Sequence, residues 1–209
     1  MLRFEERFRF IDVDIVLRTN SRQFREKMAY LDSYFRSPDP GTPALIFSAI
    51  ESDGRFSVYE HETHMYTGEE FWALAVLERQ MAASALERLG QFYQLHAGAV
   101  SRAGVGLLFP GVSKSGKSTL MFGLLARGFQ YLSDDVILFD PETLQMTPFP
   151  RSLSLKGEAR DLAMRICPAL GKEGPARALH KRDPWYLNPS DVRAEPWGQT
   201  CYADCLIFP

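Results

Sequence analysis

Gly111, Val112, Ser113, Lys114, Ser115, Gly116, Lys117, Ser118 and Thr119 fit the pattern G-x-x-x-x-G-K-[ST]. The chemistry of that pattern is phosphate binding. Its glycines let the backbone curl so that several N–H groups point at one anion, and a following helix N-terminus adds partial positive charge. Lys117 is then placed for the β and γ phosphates of ATP, and the Ser118 hydroxyl for Mg²⁺. The flanks are the ones the pattern needs. Val105 to Phe109 is an apolar run that reads as a strand. Leu120 to Ala126 carries apolar residues on a helical period, with Gly128 just past its end.

Phosphoryl transfer also needs a metal and a group that positions the attacking atom. Asp134 and Asp135 are the candidates, reached after the loop helix and a short connection. Adjacent carboxylates on a regular strand point to opposite faces. A kink at Ser133 or Asp134 is therefore required if both are to face the loop. Val136 to Phe139 continues as an apolar strand, so a carboxylate buried beside it needs a partner. Mg²⁺ and Lys117 qualify, and a solvated Ser-Asp-Asp turn is the alternative.

The elements that position these residues follow from periodicity. Arg7 to Leu17 reads as one strand whose apolar parity shifts near Ile11, as at a bulge or a bend. Asn20 with Gln23 reads as a capping box, followed by Phe24, Met28, Leu31 and Phe35 on one helical face. Ala44 to Glu51 and Arg55 to Glu60 form a hairpin around Asp53-Gly54. Thr67 with Glu70 reads as a second capping box, opening a helix to about Tyr93 with Phe71, Leu74, Ala75, Met81, Ala85 and Leu89 inward. His96 to Val100 and Val105 to Phe109 pair across Ser101 to Gly104. Gln130 to Phe139 is a strand interrupted by the two acids. Asp140 to Thr143 is a type I turn that returns the chain to Leu144–Thr147. Arg151 to Lys156 is a short alternating strand, and Gly157 to Leu170 is helical. Gly171 to Pro175 is a loop, Trp185 to Leu187 a strand and Asn188 to Asp191 a turn. Leu206 to Phe208 reads as the start of a buried strand, at which the core is cut short.

The bulk properties set limits. The chain has 209 residues, 45% hydrophobic and 24% charged, with formal net charge −2. That suits a globular protein with a real core. It supplies no global basic field for nucleic acid, and no apolar run long enough for a membrane helix. Three sparse cysteines, Cys167, Cys201 and Cys205, suit a reducing cytoplasm. Cys201 and Cys205 lack a second ligand pair, and His61 and His64 read as exposed histidines rather than a metal pair.

The order of motifs resembles the HPr serine kinase/phosphorylase family, whose fold is shared with phosphoenolpyruvate carboxykinase. The resemblance runs from His96 to about Lys156. It rests on His96 to Val100, Gly104 to Leu108, Gly111 to Thr119, Leu124 to Phe129 and Leu132 to Val136. It implies an α/β fold with a mixed, hairpin-rich sheet: a P-loop kinase-like core over residues 95–209, beside an N-terminal α+β portion over 1–94. It implies Mg²⁺ and ATP as cofactors and a protein or peptide serine as acceptor. Lys117 binds phosphates and Ser118 binds Mg²⁺. One of Asp134 and Asp135 is the general base, with Asp135 the first choice beside Ser118 for the metal. His96 lies near the transferred phosphate or orients an aspartate. Arg151 and Lys156 either neutralise the transferring group or are solvated. Self-association as a homo-oligomer stays open. The family's Glu-Ile-Arg-Gly-like signature keeps only its arginine here, in Pro148-Phe-Pro-Arg151. A nucleotide-binding module with little transfer, a small-molecule kinase and a motor-type NTPase are the other readings.

Overall fold

In the computed structural model, which describes residues 2–39, 41–112, 115–168, 170 and 184–208, the chain divides into two units, Met1–Gly90 and Gln91–Pro209. The architecture is mixed α/β, with several sheets and four α-helices among the described residues. None of those helices is long and apolar enough to cross a membrane.

The first unit is a five-stranded sheet in the order β1-β2-β3-β4-β5. Its strands are β1 (Phe4–Phe10), β2 (Val13–Thr19), β3 (Leu45–Ser52), β4 (Arg55–Glu60) and β5 (Thr63–Gly68). All neighbours are antiparallel except β2 and β3, which run parallel. Such a pair needs a crossover, and α1 (Arg22–Leu31) lies in it. Phe24, Met28 and Leu31 of α1 are buried, and so are Phe71, Leu74, Leu77, Met81 and Ala85 of α2 (Glu70–Arg88). The two helices are joined by Lys27 Nζ, buried and 2.5 Å from Glu70 Oε2, so the desolvated cation has its counter-charge.

Four expectations are corrected in this unit. The parity shift near Ile11, read as a bulge or a bend within one strand, is a hairpin turn between two: Phe10 pairs with Val13, and Ile11 takes φ 63°. The first helix is capped by Ser21, which accepts from Phe24 N at 3.4 Å, while Asn20 bonds the Glu51 backbone. No second capping box forms. Thr67 lies in β5, where its hydroxyl meets Ser57 Oγ and His64 Nε2, each at 2.8 Å. Finally, α2 stops at Arg88 rather than near Tyr93.

The second unit is built on a four-stranded sheet in the order β14-β8-β7-β9. It contains β7 (Ala97–Arg102), β8 (Val105–Pro110), β9 (Gln130–Ser133) and β14 (Cys205–Leu206). Strand parity sends side chains to two faces. Val100, Phe109 and Tyr131 join a core with Met121, Phe122 and Leu125 of α3 (Lys117–Leu125). That core takes in Leu153 and Leu155 of β12 (Leu153–Leu155), Trp185 and Leu187 of β13 (Trp185–Leu187), and Ala163 of α4 (Glu158–Ile166). Ala97, Ala99, Leu108 and Leu132 face a second core with Ile137 and Met146. Gly98 lets α3 come this close, because a Cβ there would lie 2.9 Å from Met121 Sδ.

A smaller sheet, β11-β10-β6, pairs β6 (Tyr93–Leu95), β10 (Ile137–Phe139) and β11 (Met146–Thr147). The segment read as one interrupted strand, Gln130 to Phe139, is thus two strands in two sheets. Leu206 to Phe208, expected to be buried, is exposed. Its β14 part is a two-residue strand parallel to β8, at the edge of the sheet among the described residues. The loop expected over 171–175 lies outside the described residues.

Candidate functional site

The loop between β8 and α3 holds its lysine inward. Gly116, at φ 92°, adopts the left-handed turn that closes the loop onto the helix. Lys117 opens α3 and is buried, and its Nζ donates to Gly111 O at 2.7 Å and to Val112 O at 2.8 Å. The Ser115 hydroxyl is buried with no partner among the described residues. Thr119 is half-buried in the first turn of α3, and Val112 is exposed. Ser113 and Lys114 lie outside the described residues.

Two strands change sheets beside this loop. One passes from β6 through His96 into β7. The other leaves β9 at Ser133, crosses Asp134, Asp135 and Val136, and enters β10. The crossings are level: Ala99 pairs with Ser133 on one side and Leu95 with Ile137 on the other. Ala97 N donates to Asp135 O across the seam at 3.1 Å. Ser133, itself buried, donates from Oγ to Val136 O at 2.5 Å and so supports the kink.

The kink separates the surroundings of the two carboxylates. The Ser118 hydroxyl donates to Asp134, while Asp134 Oδ1 is buried with no partner among the described residues. Burial pushes the Asp134 carboxyl up from 3.8 to about 6, and the charge of Asp135 adds to this. The Ser118 hydrogen bond and the charges of Lys117 and Arg151 pull the other way. Asp135 is half-exposed. Its Oδ1 lies 3.0 Å from His96 Nδ1 and its Oδ2 lies 3.2 Å from Arg151 Nη1.

Lys117, Ser118, Asp134, Asp135 and His96 therefore converge, the last through Asp135. Ser118 meets Asp134 rather than Asp135, which was the first choice to share a metal with it. Arg151 turns onto Asp135, whereas Lys156 is exposed at the end of β12. Sequence reasoning missed Tyr131, whose hydroxyl donates to Arg151 O at 3.0 Å and fixes the arginine's backbone. Only its place in β9, facing the α3 core, hinted at this.

No group of three or more His, Cys, Asp or Glu side chains converges among the described residues. Mg²⁺ does not require one. It binds through one or two carboxylates and fills its other positions with water and phosphate oxygens. A half-buried carboxylate bonded to a hydroxyl, with one buried oxygen unpartnered among the described residues, fits that demand. The chain matches no protein-family model and no curated protein.

Proposed function

We propose that this chain is a Mg²⁺-ATP-dependent kinase that transfers the γ phosphate to a serine hydroxyl of a protein or peptide. Its second unit would be an HPr-kinase-like core of the phosphoenolpyruvate carboxykinase type. The observation that carries the reading is the convergence of buried Lys117, the Ser118–Asp134 pair and the His96–Asp135 pair at one seam.

Lys117 would exchange the Gly111 and Val112 carbonyls for the β and γ phosphate oxygens, while the first turn of α3 offers free N–H groups. Ser118 and Asp134 would hold Mg²⁺, which when bound neutralises phosphate charge. The metal role thus falls to Asp134 and the base role to Asp135. Asp135 reaches solvent, where an acceptor can approach. It accepts the serine proton as the serine oxygen bonds to the γ phosphorus and the bond to the β–γ bridging oxygen breaks. His96 Nδ1, bonded to Asp135 Oδ1, fixes the orientation of the base.

One observation favours a second reading, a nucleotide-binding module with little transfer. Pro148, Phe149 and Pro150 are buried where the resembling family carries its glutamate. Calorimetry with Mg²⁺-ATP, followed by incubation of γ-labelled ATP with a serine-containing peptide library, separates the two. Binding with labelling supports the kinase, binding without labelling supports the module, and no binding sinks both.

A further inference from the structure

Both oxygens of Asp135 are engaged, but by different kinds of group. His96 holds Oδ1 at 3.0 Å and Arg151 holds Oδ2 at 3.2 Å. In the nucleotide-free chain the guanidinium therefore occupies the carboxylate oxygen that His96 leaves open.

Arg151 is also near the phosphate loop. It lies two residues before β12, and β12 packs through Leu153 and Leu155 on Met121 and Leu125 of α3, the helix that the loop opens. Its charge acts on Asp134, which the Ser118 hydroxyl bonds. Its backbone is anchored through Tyr131, which is fully buried. The side chain is thus fixed at its root, and the carboxylate it pairs with is half-exposed. A guanidinium prefers the bidentate oxygens of a phosphate over one carboxylate oxygen.

We propose that Arg151 is a clamp that responds to the terminal phosphate: it holds Asp135 in the empty site and moves to the γ phosphate of a bound nucleoside triphosphate, leaving Asp135 to His96. The inference rests on the kinase reading and adds to it a discrimination between triphosphate and diphosphate. Only a nucleotide that carries the γ phosphate draws the arginine away, so Asp135 stays clamped with a diphosphate bound.

The test is calorimetric affinity for a non-hydrolysable ATP analogue and for ADP, each with Mg²⁺. Arg151→Met is expected to weaken analogue binding about tenfold or more, the scale of a lost charge-assisted pair, and to change ADP binding less than about twofold. Arg151→Lys, which keeps the charge and loses the planar fork, gives an intermediate loss and serves if the methionine variant does not fold. Asp135→Asn, which releases the arginine, tightens analogue binding, and adding Arg151→Met removes most of that gain. An equal effect of Arg151→Met on both nucleotides, or no effect on either, overturns the clamp. Wild-type protein that binds neither nucleotide overturns the site reading itself.

Discussion

His96 Nδ1 lies 3.0 Å from Asp135 Oδ1, and the two residues sit at the adjacent points where two strands leave one sheet for another. The pair is therefore placed by backbone pairing on both sides, Ala99 with Ser133 and Leu95 with Ile137. Asp135→Asn should abolish transfer while Mg²⁺-nucleotide binding is kept or tightened. His96→Ala should lower transfer by about a hundredfold, the lower end of what a positioned proton-transfer group contributes. Parallel transfer and binding assays check both, and a variant that loses both activities together would speak against separate roles.

Asp134 should make nucleotide binding depend on pH. Mg²⁺ requires the ionised carboxylate, whose pKa is about 6 in the folded chain. Affinity for Mg²⁺-ATP should therefore fall as pH drops below about 6, and binding near that pH should release a proton. Calorimetry in buffers of different ionisation enthalpy measures that release.

The same group affects stability, with a definite sign. Its pKa is raised from 3.8 to about 6, so the folded chain binds the proton more tightly than the unfolded one. The stabilising contribution is complete below the unfolded value, is lost as pH rises through about 6, and leaves a deficit of about 3 kcal/mol at neutral pH. Asp134→Asn should remove most of this deficit, raising the melting temperature at pH 7.5 and not at pH 4, while losing Mg²⁺-nucleotide binding. A lower melting temperature at pH 7.5 would contradict the burial argument.

Gly98→Ala should destabilise the second unit by about 1 kcal/mol, since the new Cβ would press on the buried Met121 side chain of α3, which must shift to admit it. Because α3 opens with Lys117, nucleotide affinity should fall as well. Chemical denaturation with the binding assay checks the two effects together.

Tyr131→Phe should cost about 1 kcal/mol for the hydroxyl's bond to Arg151 O. It should also lower transfer more than nucleotide binding, because it loosens the backbone that carries Arg151. Equal kinetics in wild type and variant would remove Tyr131 from the account.

The strand, loop and helix around Gly111–Thr119 were legible because the motif and both flanks are local: β8, the turn at Gly116 and α3 follow from residues close in sequence. The Asp53-Gly54 and Asp140–Thr143 turns were legible for the same reason. Asp140 Oδ1 accepts from Thr143 N at 2.7 Å. What failed depended on distant partners or unusual turn residues. Ile11 is β-branched and gives no turn signal, so the β1–β2 hairpin read as one strand. Thr67 looked like a cap until pairing with β4 drew it into β5. The division of Gln130–Phe139 between two sheets depends on β6, far upstream. The meeting of His96 with Asp135 was expected only through resemblance. Arg151 was left between two roles, because a lone arginine beside a short strand has no periodic signature.

The most direct measurement of the central claim is phosphate transfer from γ-labelled ATP to serine peptides by wild type, Lys117→Ala and Asp135→Asn. The account predicts Mg²⁺-dependent labelling by wild type alone, with ATP bound by wild type and Asp135→Asn and lost in Lys117→Ala. Undiminished ATP affinity in Lys117→Ala, or full labelling by Asp135→Asn, would contradict it.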